Sequence, residues 1–279
     1  MIIDAHHHLW DPTPGQYPWM TAEFEPIRRR FGPEDLAPAL QACGVDRTIV
    51  VQTYSSLQET REFLATAGRT PFIAGVVGWV ELTDDRAADT IGGLQRQPGG
   101  QRLVGIRHQV HDEPDSKWLL QATVQRSIAA VGQAGLVFDL LVRPRELPAA
   151  LDTVAAHPEV RFVIDHLAKP PIRDGGATEW ERWMPHLAAH PNVSCKLSGM
   201  VTEADWRAWT VADLRPYVAR VLEWFGPERL LFGSDWPVCL LAAPYRTVFE
   251  TARRLVTALA PGSEPAVLGD NAARIYRLR

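Results

Sequence analysis

Residues 2–12 read IIDAHHHLWDP. Residues 2–6 form a short, mostly apolar run that predicts a strand, and the residues just after that run decide between two architectures. An open doubly wound sheet usually carries a glycine-rich phosphate loop after its first strand. Here the strand runs into three histidines. In a (β/α)₈ barrel the catalytic side chains come from the C-terminal ends of the strands, and a histidine pair at such an end fits that plan. Side chains two apart on a strand share a face, so His6 and His8 are expected to project together and His7 to point away.

Seven further runs of the same kind occur, at residues 48–52, 72–79, 103–107, 137–142, 160–166, 193–198 and 230–235. Stretches with helical spacing separate them. One covers residues 56–67, with Ser56 and Glu59 at the spacing of a capping box and Gly68 at the expected stop. Helix ends near Gly44, Gly135, Pro158, Pro191 and Gly226 each precede a new apolar run by a few residues. Alternating βα units imply a parallel sheet. The fold expected is α/β, a (β/α)₈ TIM barrel. Its 279 residues match the size of one such barrel, about 250 residues. No Pro/Gly/Ser-rich linker divides the chain, so residues 1–279 are read as a single domain.

Composition narrows the function classes. The sequence is 46% hydrophobic and 22% charged, the balance of a globular chain able to bury a sizeable core. A net charge of -4 without a Lys/Arg run gives no field to hold phosphates, so nucleic acid is not an expected partner. No segment approaches the 18 apolar residues or so of a membrane span, and no basic leader precedes the first strand. No membrane partner and a cytoplasmic location are therefore expected, for a monomer or homodimer. Cys43, Cys195 and Cys239 are odd in number and lack CxxC spacing, which argues against a disulfide framework or a thiolate zinc site. They read as buried apolar residues.

Polar residues that end the apolar runs supply the candidate site. FVIDHLAKPP (residues 162–171) adds His166, with Asp165 on the opposite face. RLLFGSDWPV (residues 229–238) adds Asp235, the best-placed general base. His6, His8, His166 and Asp235 form a ligand set for one divalent ion, for which imidazole and carboxylate donors favour zinc. Arg107 and His108 end strand four; a guanidinium there can steady an oxyanion, and only one of the two can face the pocket directly. His111 can also enter from the next loop. Lys196 and Ser198 share parity on strand seven and could both line the mouth, unless the lysine snorkels. Gln52, Tyr54, Trp79 and Trp236 would complete a pocket of hydrogen-bonding groups and flat walls suited to a sugar ring. Trp180, Trp183, Trp206, Trp209 and Trp224 read as helix-packing residues, and His157, His186 and His190 as caps or surface.

D-A-H-x-H on strand one, I-D-H on strand six, G-S-D-W-P on strand eight and the terminal G-D-N-A-A-R-I-Y together resemble the amidohydrolase superfamily (amidohydrolase family 2) across the whole chain. GVVGWVEL, LVGIRHQVHDEPD, GLVFDLLVRP and VSCKLSGMV are similar to its sugar-lactonase branch, that of the L-fuconolactonases and L-rhamnonolactonases. The resemblance implies a hydrolase that opens small sugar lactones, such as L-fuconolactone, to aldonic acids in carbohydrate catabolism and L-fucose degradation. Related barrels include metal-dependent decarboxylases and lactonases for pyrone-dicarboxylate or muconolactone-type substrates, which are the alternatives. The binuclear members need a bridging lysine on strand four and a histidine on strand five. This chain has Arg107-His108 and Asp139 there, so at most one metal ion is expected, on which catalysis need not depend strongly. With one arginine assignable to the rim, neutral lactones are expected over dicarboxylated ones.

Overall fold

The computed structural model describes residues 1–12 and 17–278. Eight strands, β1 (Ile3–His7), β2 (Arg47–Val51), β3 (Ile73–Gly78), β4 (Leu103–His108), β5 (Val137–Leu140), β6 (Arg161–Ile164), β7 (Val193–Leu197) and β8 (Leu230–Phe232), pair in parallel in chain order. Each coincides with one of the eight runs of the sequence. Past the end of β8 the chain returns to β1: Asp235 N donates to His6 O at 2.8 Å and His8 N to Trp236 O at 2.6 Å. The result is a (β/α)₈ TIM barrel.

The helices alternate with the strands: α1 (Pro33–Cys43), α2 (Leu57–Arg69), α3 (Ala87–Arg96), α4 (Ala122–Gln133), α5 (Leu147–Ala156), α6 (Thr178–Ala188), the short α7 (Met200–Glu203), α8 (Val211–Phe225), α9 (Tyr245–Leu259) and the terminal α10 (Asn271–Ile275). In α2, Ser56 Oγ accepts from Glu59 N at 3.1 Å, as the capping box requires. Its other half is missing, because the Glu59 carboxylate turns to Thr53 instead. Nor does Gly68 stop the helix. Thr70 does, in an extended conformation (φ −114°, ψ 102°) imposed by the steric demand of Pro71 on the residue before it.

The apolar interior has two layers. Residues such as Leu40, Ile128, Phe138 and Phe162 fill the space between sheet and helices. Ile3, Ile49, Val77, Val137, Val163 and Leu231 fill the barrel, and Ile275 and Tyr276 from the chain end join them. Within β5 and β6, Val137 and Val163 point in and Phe138, Phe162 and Ile164 point out, the period of two that a strand dictates.

That period is broken at two places, and both build the site. In β1, Ile3 and Ala5 belong to the inner layer, so unbroken alternation would put His7 inside. A register shift between Asp4 and His7 reverses the parity. His6 and His8 then face inward, and His7 turns to Thr48 Oγ1 at 2.9 Å, as expected for it. After β6 the four residues His166 to Lys169 all have positive φ, between 50° and 60°. This left-handed turn swings His166 inward beside Asp165, which already follows the inward parity of Val163. The expectation that Asp165 points away is thereby corrected.

Among the described residues, no helix is long and apolar enough to cross a membrane. All three cysteines are free; Cys195 and Cys239 are buried and Cys43 partly so.

Candidate active site

Asp4 anchors the floor of the site from beneath. Its carboxylate accepts from His6 N (3.1 Å), Ser234 N (2.8 Å) and Tyr245 Oη (3.0 Å), which ties the turn after β8 to β1. Burial pushes its pKa up to about 6. Between these segments Gly233 is obligatory, because a Cβ there would stand 2.6 Å from His6 Cβ. The sequence reading missed Asp4, although a lone aspartate inside an apolar strand run is a usable signal of a buried partner.

Four of the expected residues converge above this anchor. His6 Nε2 and His8 Nε2 stand 3.2 Å apart. Asp235 Oδ1 lies 3.3 Å from His8 Nε2, 3.8 Å from His6 Nε2 and 3.9 Å from His166 Nε2. All four side chains are buried. Burial holds His6 and His166 well below the ordinary histidine pKa, so both are neutral near pH 7. Burial would raise the Asp235 carboxyl, but attraction to His166 and His8, felt when those rings carry a proton, outweighs it and holds the group below its usual value.

The tautomers are set by the partners of the ring nitrogens. His8 Nδ1 is 2.8 Å from the Val51 carbonyl oxygen, so it carries the proton and Nε2 is bare. Arg107 Nη1, which can only donate, lies 3.3 Å from His6 Nε2 and so leaves that nitrogen bare as well. His166 Nδ1 meets Ser198 Oγ at 2.8 Å. Three electron-rich atoms, His6 Nε2, His8 Nε2 and Asp235 Oδ1, therefore face one point. A cation there relieves their repulsion. An ion with four ligands at about 2.1 Å spaces them by about 3.4 Å, close to the separations found, and three protein donors leave one position open. The donor set fits one divalent ion.

A second ion does not fit. His6, Asp165 and His166 also group closely enough for ligation, but Asp165 is already neutralised. Lys196 Nζ lies 2.9 Å from its Oδ1 and Arg107 Nη1 2.9 Å from its Oδ2. Burial alone would raise Asp165; Lys196, His6 and Arg107 together hold it well below the usual carboxylate range. Lys196 also binds Asp139 at 2.6 Å, and Tyr276 Oη donates to Asp139 at 2.8 Å. Burial lifts Asp139 to about 6 despite the lysine. Protein cations thus stand where a second metal would be needed.

A cavity of about 420 Å³ opens over this floor. His8, His166, Asp235, Arg107 and His111 line it, and two of their polar atoms, Arg107 Nε and His111 Nδ1, are buried without a hydrogen-bond partner. Trp19, Phe24 and Trp206 form one wall, and Arg143, Lys169 and Glu203 the rim. Trp206 corrects the helix-packing assignment made for it: it lies in the turn between α7 and α8. Arg143 corrects the count of one rim arginine, and Lys169 adds a further cation, paired with Glu203 at 2.6 Å.

Six expected substrate contacts sit elsewhere. Lys196 is fully buried one side-chain layer deeper than Ser198, paired rather than snorkelling. Gln52 Oε1 accepts from Arg107 Nη2 at 3.1 Å and so orients the guanidinium. His108 takes the outward parity next to Arg107; it stacks on Trp118 (4.1 Å, 9°), accepts from Trp79 Nε1 at 3.0 Å and contacts Glu113 at 2.7 Å. Trp79 is occupied by that bond. Trp236 packs edge-on against Phe31 in the core, 5.3 Å between centroids. Tyr54 and His108 border a neighbouring cavity of about 720 Å³.

The family model described as "Amidohydrolase" matches residues 3–278. An L-fucono-1,5-lactonase of Burkholderia ambifaria is 41% identical over 99% of this chain and 95% of its own length. Another, from Burkholderia multivorans, is 37% identical over 99% and 96%. A crystal structure of a Burkholderia multivorans amidohydrolase with bound Zn superposes with a TM-score of 0.93, at 37% identity and complete coverage of both chains. With the histidine–aspartate floor at the strand ends and a family match that spans nearly every residue, the chain belongs to the amidohydrolase family.

Proposed function

We propose that this protein is a lactonase that opens sugar lactones to aldonic acids by attack of water on the lactone carbonyl. The observation that carries the reading is the convergence of His6, His8, His166 and Asp235 beneath a cavity. Two relatives bear L-fucono-1,5-lactonase names, which makes L-fucono-1,5-lactone the first substrate to try and supports a role in carbohydrate catabolism. Three free cysteines suit a reducing compartment such as the cytoplasm.

In this reading His6, His8 and Asp235, with His166 beside them, hold one zinc ion. When bound it supplies Lewis acidity toward the lactone carbonyl. Asp235 accepts the proton of the attacking water, on the carboxylate oxygen that would not face the ion, as the new C–O bond forms. Arg107, held by Gln52 and Asp165, lines the cavity and sets its guanidinium charge beside the developing oxyanion or a substrate hydroxyl. Collapse breaks the ring ester bond, and protonated Asp235 returns its proton to the leaving alkoxide.

Neutral lactones are preferred over dicarboxylated ones, because Glu23, Asp112, Glu203 and Asp235 offset Arg107, Arg143 and Lys169 around the cavity. A pH-indicator screen of aldono-lactones, a pyrone dicarboxylate and dihydroxybenzoates, with carbon dioxide detected in parallel, tests the reading. Proton release fastest with an aldono-lactone supports it. Carbon dioxide release, or fastest turnover of the dicarboxylate, would overturn it.

A further inference from the structure

We propose that the wall formed by Trp19, Phe24 and Trp206 sets the specificity of the site, selecting lactones with a methyl group on C5 over those with a hydroxymethyl group there. The inference rests on the lactonase reading above. Phe24 stands between the two indoles, with ring centroids 5.5 Å from Trp19 and 5.8 Å from Trp206, both edge to face. All three rings are half-buried and border the cavity that His8, His166 and Asp235 close below. Partly covered aromatic surface that faces a cavity is available for a ligand to bury.

What the wall lacks decides what it binds. Trp19 Nε1 donates to the Thr53 carbonyl at 2.9 Å and Trp206 Nε1 to the Thr202 carbonyl at 2.8 Å. Phe24 has no polar atom. Both indole donors are thus committed within the protein, and the wall offers carbon alone. A hydroxyl pressed against it gives up water without a replacement partner, whereas a methyl group gains from burial. The unpartnered polar atoms, Arg107 Nε and His111 Nδ1, belong to other side chains of the cavity. In an aldono-1,5-lactone C2, C3 and C4 carry hydroxyls, and the exocyclic carbon on C5 is the group that can be free of oxygen. That carbon is the part that matches the wall.

The test measures kcat/KM by pH-stat for three aldono-1,5-lactones of one ring configuration, bearing hydrogen, methyl or hydroxymethyl on C5. The wild-type protein is expected to favour methyl over hydroxymethyl by about 10- to 100-fold, the range an apolar pocket achieves against one added hydroxyl. Phe24→Ser and Trp206→Gln each put a hydrogen-bonding group into the wall and should bring the ratio to within about threefold of unity. Because the readout is a ratio, overall loss of rate does not imitate it, and melting curves with metal content verify each variant. Either variant alone suffices if the other fails to fold. A wild-type ratio near one, or a ratio unchanged in the folded variants, contradicts the wall's role and leaves the lactonase reading standing. No turnover of any of the three removes both.

Discussion

Glu59→Gln should stabilise the protein at pH 8 and leave it unchanged near pH 4.5. Glu59 is 3% exposed, with Oε2 accepting from Thr53 N at 2.9 Å and Oε1 beside Thr53 Oγ1. Burial pushes its pKa from 4.5 up to about 7, against the lowering effect of its hydrogen bonds and of Arg107. The folded state therefore holds the proton more tightly than the unfolded chain. The stability this contributes is complete below pH 4.5 and is lost as pH rises through 7. At 1.36 kcal/mol per pKa unit, the loss is on the order of 3 kcal/mol. Glutamine can accept from Thr53 N and donate to Thr53 Oγ1 without ionising, so the variant avoids that loss. For a chain of this size the gain corresponds to roughly 5 °C in melting temperature. Scanning calorimetry of both proteins at pH 4.5 and pH 8 reads the difference. An equal effect at the two pH values would refute the reasoning, because packing changes do not titrate.

Asp235→Asn should keep a normal melting curve and lose about 10²- to 10⁴-fold in lactone hydrolysis, since an amide cannot take the water proton; a rate within a few-fold of wild type would remove Asp235 from the mechanism. Lys196→Met should cost about 3–5 kcal/mol, because two buried carboxylates lose their shared cation. Adding Asp139→Asn should recover part of that cost in denaturant melts, and strictly additive costs would show the two groups to be independent. His8→Ala should lower bound metal from one ion per chain towards none by elemental analysis. Two stoichiometric ions in the wild-type protein would contradict the single-ion site.

The fold was legible because each strand is an apolar run that a parallel barrel buries on both faces, as at residues 137–140 and 230–232. The floor of the site was legible because strand ends are marked in sequence: HxH, DH and GSD each terminate such a run. Parity alone did not suffice for the rest. It works for His6 and His8 because the register shift in β1 restores it, and it fails at Asp165 because four left-handed residues come next. Lys196 and Ser198 share a face, as read, yet parity says nothing of depth, and the lysine lies with Asp139 and Asp165 rather than at the mouth. Trp206, Lys169 and Arg143 sit on loops whose path depends on tertiary packing, so no period in the sequence assigns them to the cavity.

Attack of water on the lactone carbonyl is the central chemical step. Hydrolysis of L-fucono-1,5-lactone in H₂¹⁸O, with the product analysed by mass spectrometry and ¹³C NMR against the uncatalysed reaction, tests it most directly. The mechanism predicts protein-catalysed product with one ¹⁸O in the carboxylate and none on C5, at a rate that Asp235→Asn lowers by about 10²- to 10⁴-fold. Label on the C5 oxygen, or no acceleration over the uncatalysed reaction, would contradict it.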